Sequence, residues 1–263
     1  MKEQQTSAVV IRVLDHGESD KIITFYCPEL GRLTGIAKGA KRSKKRFVNK
    51  LELFSRLQIR FATNSRSSLV RIDQAELVNA YPLIRSDYSR YAAAALIGEI
   101  MLHCSREDDG DPEVFRLLEW SLARLNSGQE VDQTIILFQI RMLALAGYQP
   151  VLQGCVRCGR VDPEAAPFFF LASRNGFVCR CCNREKTQTF PLNLSTVKLL
   201  QLALDLPLDK IGRLRFSSRS RTEAMELLER YSTSLLQREI HSWSHLSPVL
   251  KPKTSAACCH NNG

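Results

Sequence analysis

The chain has 263 residues, 44% of them hydrophobic and 24% charged, and 37 Lys/Arg against 27 Asp/Glu give a formal net charge of +10. This is ordinary globular composition, long enough for two domains, and it argues against a membrane-embedded or secreted protein. Val9-Val10-Ile11 is interrupted by Arg12 and Asp15, and the most apolar run, Thr134 to Leu145, contains Gln139 and Arg141 and falls short of the roughly 20 residues that cross a bilayer.

A soluble, intracellular chain is therefore expected. In that compartment nine cysteines fit metal binding plus incidental thiols better than disulfides.

Residues Thr6 to Ala80 read as five short strands: Thr6–Leu14, Lys21–Cys27, Arg32–Ala37, Leu51–Ala62 and Leu69–Glu76. Their separators are turn chemistry, Asp15-His16-Gly17, Pro28-Glu29-Leu30-Gly31 and Asn64-Ser65, where Gly and Asn tolerate positive φ. Alternation in Leu57-Gln58-Ile59-Arg60-Phe61 and in Leu69-Val70-Arg71-Ile72 predicts one buried face and one wet face carrying cations. Five strands with a basic loop after the third match a partly closed oligonucleotide-binding (OB) barrel, with an SH3-like barrel as the other arrangement of that count.

That loop, Lys38 to Lys50, places seven cationic side chains in thirteen residues with no carboxylate. Charges this dense repel one another, and phosphates that neutralise them release condensed counterions. A solvated loop can carry such a run too, but the surroundings favour a polyanion. Up to Ala80 the chain has 15 Lys/Arg against 8 Asp/Glu, so +7 of the total +10 lies in its first third. Gly39 and Ser43 argue against an interfacial helix, hence against a membrane surface. The candidate nucleic-acid contacts are Lys38, Lys41, Arg42, Lys44, Lys45 and Arg46, with Phe47 as the aromatic expected to stack on bases and Phe54 and Phe61 expected in the core.

From Tyr81 onward the period changes from two to 3.6. A first helix is expected from Asp87 to about His103. A second starts at the cap Asp111-Pro112-Glu113, sets Val114, Leu117, Leu118, Leu122 and Leu125 on one face and ends at Asn126-Ser127-Gly128. The third, about Asp132 to Ala146, is apolar nearly all round and belongs at the centre of a bundle, with Arg141 paired or snorkelling. Further helices are expected near Leu194–Leu206 and Thr222–His241.

Between them stand Cys155-Val156-Arg157-Cys158 and, twenty residues on, Cys179-Arg180-Cys181-Cys182. Two C-x2-C hooks present four thiolates to one tetrahedral ion, which suits a closed, structural Zn2+ site formed by Cys155, Cys158, Cys179 and Cys182. Cys181 crowds the second hook and leaves its ligand choice open. Phe168–Leu171 and Gly176–Val178 read as the strands of a zinc-ribbon-like hairpin. Free or redox-active thiols are the other reading of the cluster. His241 and His245 lack the Glu of a zinc-protease helix, and no phosphate loop, G-x-S-x-G elbow or dinucleotide fingerprint is present. A catalytic constellation is therefore not expected, and residues 251–263 are expected to be a disordered tail.

Taken together, His16-Gly17-Glu18-Ser19-Asp20-Lys21-Ile22-Ile23-Thr24, Ala37-Lys38-Gly39-Ala40-Lys41-Arg42, Leu51-Glu52-Leu53-Phe54-Ser55, Tyr81-Pro82-Leu83-Ile84-Arg85-Ser86-Asp87 and Phe138-Gln139-Ile140-Arg141-Met142-Leu143 before Cys155 resemble the bacterial recombination mediator family RecO. The resemblance runs to about Leu246. It implies an OB domain, a helical domain and a zinc module. It further implies binding of single- and double-stranded DNA, annealing of complementary strands without ATP, and action with RecR and with the C-terminal tail of the single-strand-binding protein SSB to load the RecA recombinase. Ser19 and Lys21 depart from a family Asp-Arg pair, and the tail is not a family feature.

The expected architecture is thus α+β: an OB-fold domain over 1–80, a helical domain over 81–250 with a four-cysteine zinc module at about 153–190, then the tail. The expected function is a non-enzymatic, cytoplasmic, nucleoid-associated recombination mediator. A nucleic-acid-processing enzyme that uses the barrel for substrate binding, or a zinc-ribbon adaptor, are the alternatives.

Overall fold

The computed structural model describes residues 2–63, 69–160, 166–183 and 191–250, the side chains of Lys2 and 247–250 excepted. The expected turn at Asn64-Ser65 and the tail 251–263 lie outside the described residues. No described helix is long and apolar enough to cross a membrane.

The five strands are β1 (Lys2–His16), β2 (Asp20–Cys27), β3 (Gly31–Ala37), β4 (Arg56–Thr63) and β5 (Val70–Asn79). They close in the order β1-β2-β3-β5-β4, with β3 and β5 parallel and every other pair antiparallel. This is the OB arrangement. Strand β1 is long enough to pair with β4 through its first half and with β2 through its second, and the register shift at Val10/Arg12 marks the bulge where it bends between them. Ala8, Val10, Ile23, Phe25, Leu57, Ile59, Phe61 and Ile72 fill the barrel.

One expectation for the barrel needs correction. The fourth strand begins at Arg56, not Leu51, because Phe54 sits at φ 67°, outside the extended region. Its amide donates to Val10 O at 2.8 Å, so residues 51–55 fold as a turn onto β1. The alternation expected in β4 and β5 is present, with Arg60 and Arg71 exposed between buried Ile59, Phe61, Val70 and Ile72, whereas the outward face of β1 and β2 is covered. Val9, Ile11, Tyr26 and Phe54 belong to the cluster that buries the helical domain. Both faces are therefore apolar where the helices pack, which explains why polar alternation is missing from Val9-Val10-Ile11 and from Phe25-Tyr26-Cys27.

Helices α1 (Pro82–Ser86), α2 (Tyr88–Cys104), α3 (Pro112–Asn126) and α4 (Val131–Leu145) follow. The Asp87 and Asp111 carboxylates cap α2 and α3 by accepting from Arg90 N and Glu113 N. Helix α4 is buried on nearly all sides, Ile135 and Phe138 toward the barrel-side cluster and Ile136, Leu137 and Ile140 toward a second one. Arg141 is held by the carbonyls of Leu204 and Leu206. These end helix α5 (Leu194–Asp205), so the cation sits at a helix C-terminus, where the macrodipole favours it.

A short α6 (Leu208–Ile211) leads to α7 (Ser218–Leu236) and α8 (Ser242–Leu250). Helix α7 starts four residues before the expected Thr222, because Ser217 Oγ accepts from Ser220 N at 3.1 Å and supplies the cap. It stops before His241 because Gln237 turns left-handed.

Barrel and helices are joined by more than apolar burial. Arg56 of β4 pairs with Glu119 of α3, Arg32 donates to Leu102 O at 2.8 Å, and the Arg32 amide donates to Arg106 O. Gly31 stands so close to the 106–109 turn that a Cβ there would lie 2.6 Å from Arg106 O, at a φ of 64° that also favours glycine.

Candidate nucleic-acid interface and metal centre

The basic segment leaves the barrel at the end of β3 and makes one 3-10 turn, Ala40–Arg42, behind Gly39 at φ 70°. That turn is anchored to the β1–β2 connection. The Gly39 amide donates to Asp20 Oδ1 at 2.8 Å and the Lys41 amide to Ser19 O at 2.9 Å. The Gly39 bond, with a second from Ser19 Oγ, holds the Asp20 carboxyl below its usual range. At the far end Phe47 N donates to Ser43 Oγ at 2.9 Å and Lys50 N to Phe47 O at 3.2 Å. The loop is thus pinned at both ends, with its cationic side chains displayed between.

Lys38, Lys41, Arg42, Lys44, Lys45 and Arg46 are all exposed, but they are not equivalent. Lys41 pairs with Asp15 at 3.2 Å and donates to Gly17 O at 2.9 Å, and Arg42 pairs with Glu18 at 3.3 Å. Among the described residues Lys38, Lys44, Lys45 and Arg46 pair with no carboxylate. Arg46 instead donates to Lys38 O at 2.6 Å and lies 4.4 Å over the Phe47 ring. Sequence reading missed Asp15 and Glu18, although both stand in the Asp15-to-Asp20 turn that the fold brings beside the loop. Two of the six cations are therefore partly neutralised and four present open charge.

Phe47 is not a stacking surface. It is 3% exposed and packs with Ala40, Leu51, Leu57 and Phe61 as the plug of the barrel end. Burying the ring contributes about 2 kcal/mol of transfer free energy, and this outweighs the exposure suggested by its cationic neighbours. Phe54 and Phe61 are buried as expected.

The second site lies on the opposite side of α4. Strands β6 (Phe168–Leu171) and β7 (Gly176–Val178) form the expected hairpin, to which β8 (Pro191–Leu192) adds an edge on β6. Phe170 meets Tyr231 of α7 edge-on at 5.2 Å, and Phe168 contacts Phe177 at 4.7 Å, so the ribbon stands on the helical core. The first hook closes through Gly159 N to Cys155 O at 2.7 Å, with Gly159 at φ 75°, and the second through Cys182 N to Cys179 O at 3.0 Å. Val156 N donates to Phe177 O at 2.9 Å and ties the two together.

The sulfurs of Cys155, Cys158, Cys179 and Cys182 all lie within 4.8 Å of one another, with Cys158 and Cys179 at 3.6 Å. Four thiolates about 2.3 Å from a tetrahedral ion stand about 3.8 Å apart, so the cluster has the size of a metal site. Burial raises the Cys155 thiol, but the amides of Cys179, Arg157 and Cys158 more than offset it and lower the group to about 6. Contacts with Cys158 and Cys179 push Cys182 up to about 12. Four thiolates this close cannot all ionise without a cation among them, which is the chemistry of a metal-binding set. Cys181 is exposed and stands outside the set.

Family profiles agree with this architecture. One described as Recombination protein O N terminal matches residues 1–81, and one described as Recombination protein O C terminal matches residues 85–244. Among curated relatives named DNA repair protein RecO, the one from Syntrophobacter fumaroxidans is 36% identical over 82% of this chain and 86% of its own length. The relative from Syntrophus aciditrophicus is 30% identical over 93% and 95%, and that from Syntrophotalea carbinolica 30% over 98% and 99%. On these matches the chain belongs to the recombination protein O (RecO) family of DNA repair proteins.

Proposed function

We propose that this chain is a cytoplasmic, nucleoid-associated recombination mediator that binds single- and double-stranded DNA and anneals complementary single strands without nucleotide hydrolysis. In repair it would act with RecR and the SSB C-terminal tail to load the RecA recombinase. The observation that carries this reading is the set of exposed cations without acidic partners among the described residues, Lys38, Lys44, Lys45 and Arg46, at the rim of a closed OB barrel. Annealing is a charge problem: two polyanions approach when lysine and arginine neutralise their backbones, and backbone contacts do not read sequence. Phosphates can also replace Asp15 and Glu18 as partners of Lys41 and Arg42, because exposed ion pairs are weak.

The metal is Zn2+ in this reading, since an all-thiolate, closed tetrahedral set suits it. The ion would fix the ribbon, and Cys155, Cys158, Cys179 and Cys182 would leave it no open position for chemistry.

The SSB tail would lie in the groove of about 640 Å³ lined by Leu117, Trp120, Ala144, Leu145 and Leu208, together with the cations Arg116 and Arg141 and the carboxylates Glu113 and Asp209. A chain end brings a carboxylate, and the Arg116 guanidinium, which among the described residues pairs with the exposed Glu113, can exchange that partner. Arg116→Ala with Trp120→Ala should weaken an SSB tail peptide about tenfold or more in a titration and leave naked DNA binding intact. Equal peptide affinity would remove the groove from the account.

The test of the main reading is strand annealing with complementary oligonucleotides and no nucleotide. Wild-type protein should accelerate duplex formation, and Lys38→Ala/Lys44→Ala/Lys45→Ala/Arg46→Ala should abolish most of the acceleration. Cleavage or joining of the strands would point to a processing enzyme, and absence of all three activities to an adaptor.

A further inference from the structure

With Phe47 buried, the proposed DNA surface has charge but lacks the aromatic faces that hold unpaired bases. We propose that Tyr88 and Tyr91, at the start of α2, are that platform and stack on bases of a single strand whose backbone lies along the basic loop. The inference rests on the reading of that loop as a DNA surface and extends it onto the helical domain.

Tyr88 is 63% and Tyr91 39% exposed, large values for aromatic residues on a helix that is otherwise packed. Three apart, they share one helix face with Cβ atoms about 5–6 Å from each other. Tyr91 is braced by Phe54, which it meets edge to face at 5.5 Å and 72°. Among the described residues Tyr88 makes no side-chain hydrogen bond or ring contact, so its faces are open.

Phe54 also fixes where the platform lies. It follows Lys50 by four residues, so its Cα is at most about 14 Å from the end of the basic loop.

The charges around the rings suit a phosphate backbone. Arg85 is exposed and anchored through one guanidinium nitrogen, Nη2, to Ser55 Oγ at 2.6 Å and Leu53 O at 3.2 Å. Its remaining N–H groups can donate elsewhere. Of the nearby acids, Glu52 pairs with Lys21 at 3.4 Å, while Asp87 caps α2 by accepting from Arg90 N at 3.0 Å through Oδ1 and keeps its charge at the helix N-terminus, where the macrodipole holds it. Every base has a π-face, so two exposed tyrosines beside a polycation retain single strands without reading sequence. Duplex bases are already stacked and gain nothing from them.

The experiment uses the full chain with oligo(dT) and with a duplex of equal length. Tyr88→Trp and Tyr91→Trp, read against the wild-type background of Trp120 and Trp243, should show fluorescence quenching by oligo(dT) and little by duplex. Tyr88→Ala should weaken oligo(dT) binding about tenfold while duplex affinity changes less than twofold. Tyr91→Leu, which keeps an apolar contact with Phe54, should do the same, and Tyr91→Phe should restore binding.

Absence of quenching, or unchanged oligo(dT) affinity in both variants while Lys44→Ala/Lys45→Ala loses it, would overturn the platform and leave the loop reading standing. That is also the pattern expected if the rings serve a protein partner. Unchanged binding in the lysine variant would sink the loop reading and the platform with it.

Discussion

The basic loop and the cysteine ribbon teach opposite lessons about what holds a functional segment in place. The ribbon is determined locally. Two hooks, two turns and a three-residue strand bring four sulfurs within 4.8 Å, and its aromatic side chains then seat the module on α4, α5 and α7. The loop is determined from a distance. Its shape depends on Asp20 and Ser19 across the β1–β2 turn, its open charge on which cations Asp15 and Glu18 engage, and its anchorage on a phenylalanine inside the barrel.

The sharpest way to break this comparison is to remove a metal ligand. Cys155→Ser should take metal content from one ion per chain to none. It should also lower the thermal midpoint of the helical domain substantially, since structural zinc sites in peptides contribute about 10–16 kcal/mol and Cys155 and Cys179 lie in the core that includes Phe170, Phe177 and Tyr231. Cys181→Ser should retain the ion. The affinity of the loop for DNA should be nearly unchanged in both, which circular dichroism, elemental analysis and DNA titration would check together.

A smaller effect is expected at Phe47. Phe47→Ala should destabilise the protein by about 3–5 kcal/mol, the usual cost of truncating a fully buried phenylalanine, as read by denaturant unfolding. Phe47→Leu, which keeps an apolar plug, should cost much less and bind DNA as wild type. A ring that stacked on bases would show the reverse, with stability kept and single-strand affinity lost.

These two variants also mark where sequence reading ends. The strand count, the bundle-centre helix α4 and both ribbon strands were legible because each is written in local periodicity or spacing. Cys155, Cys158, Cys179 and Cys182 were legible for the same reason. Phe47 was not: an aromatic between Arg46 and Val48 gives no local sign that the chain folds back over the barrel end. Nor does periodicity show that Val9, Ile11 and Tyr26 face helices rather than water, because that depends on α2 and α3 packing against β1 and β2. The pairing of Lys41 with Asp15 and of Arg42 with Glu18 joins residues more than twenty positions apart.

The most direct measurement is the salt dependence of oligo(dT) binding. With about five phosphates neutralised, the logarithm of the association constant should fall against the logarithm of salt concentration with a slope of roughly −3.5, and Lys44→Ala/Lys45→Ala should reduce its magnitude by about 1.4. Lys41→Ala/Arg42→Ala should reduce it less, because those charges are already partly neutralised by Asp15 and Glu18. A slope that stays the same when Lys44 and Lys45 are removed would contradict the assignment of the loop as the surface that holds DNA.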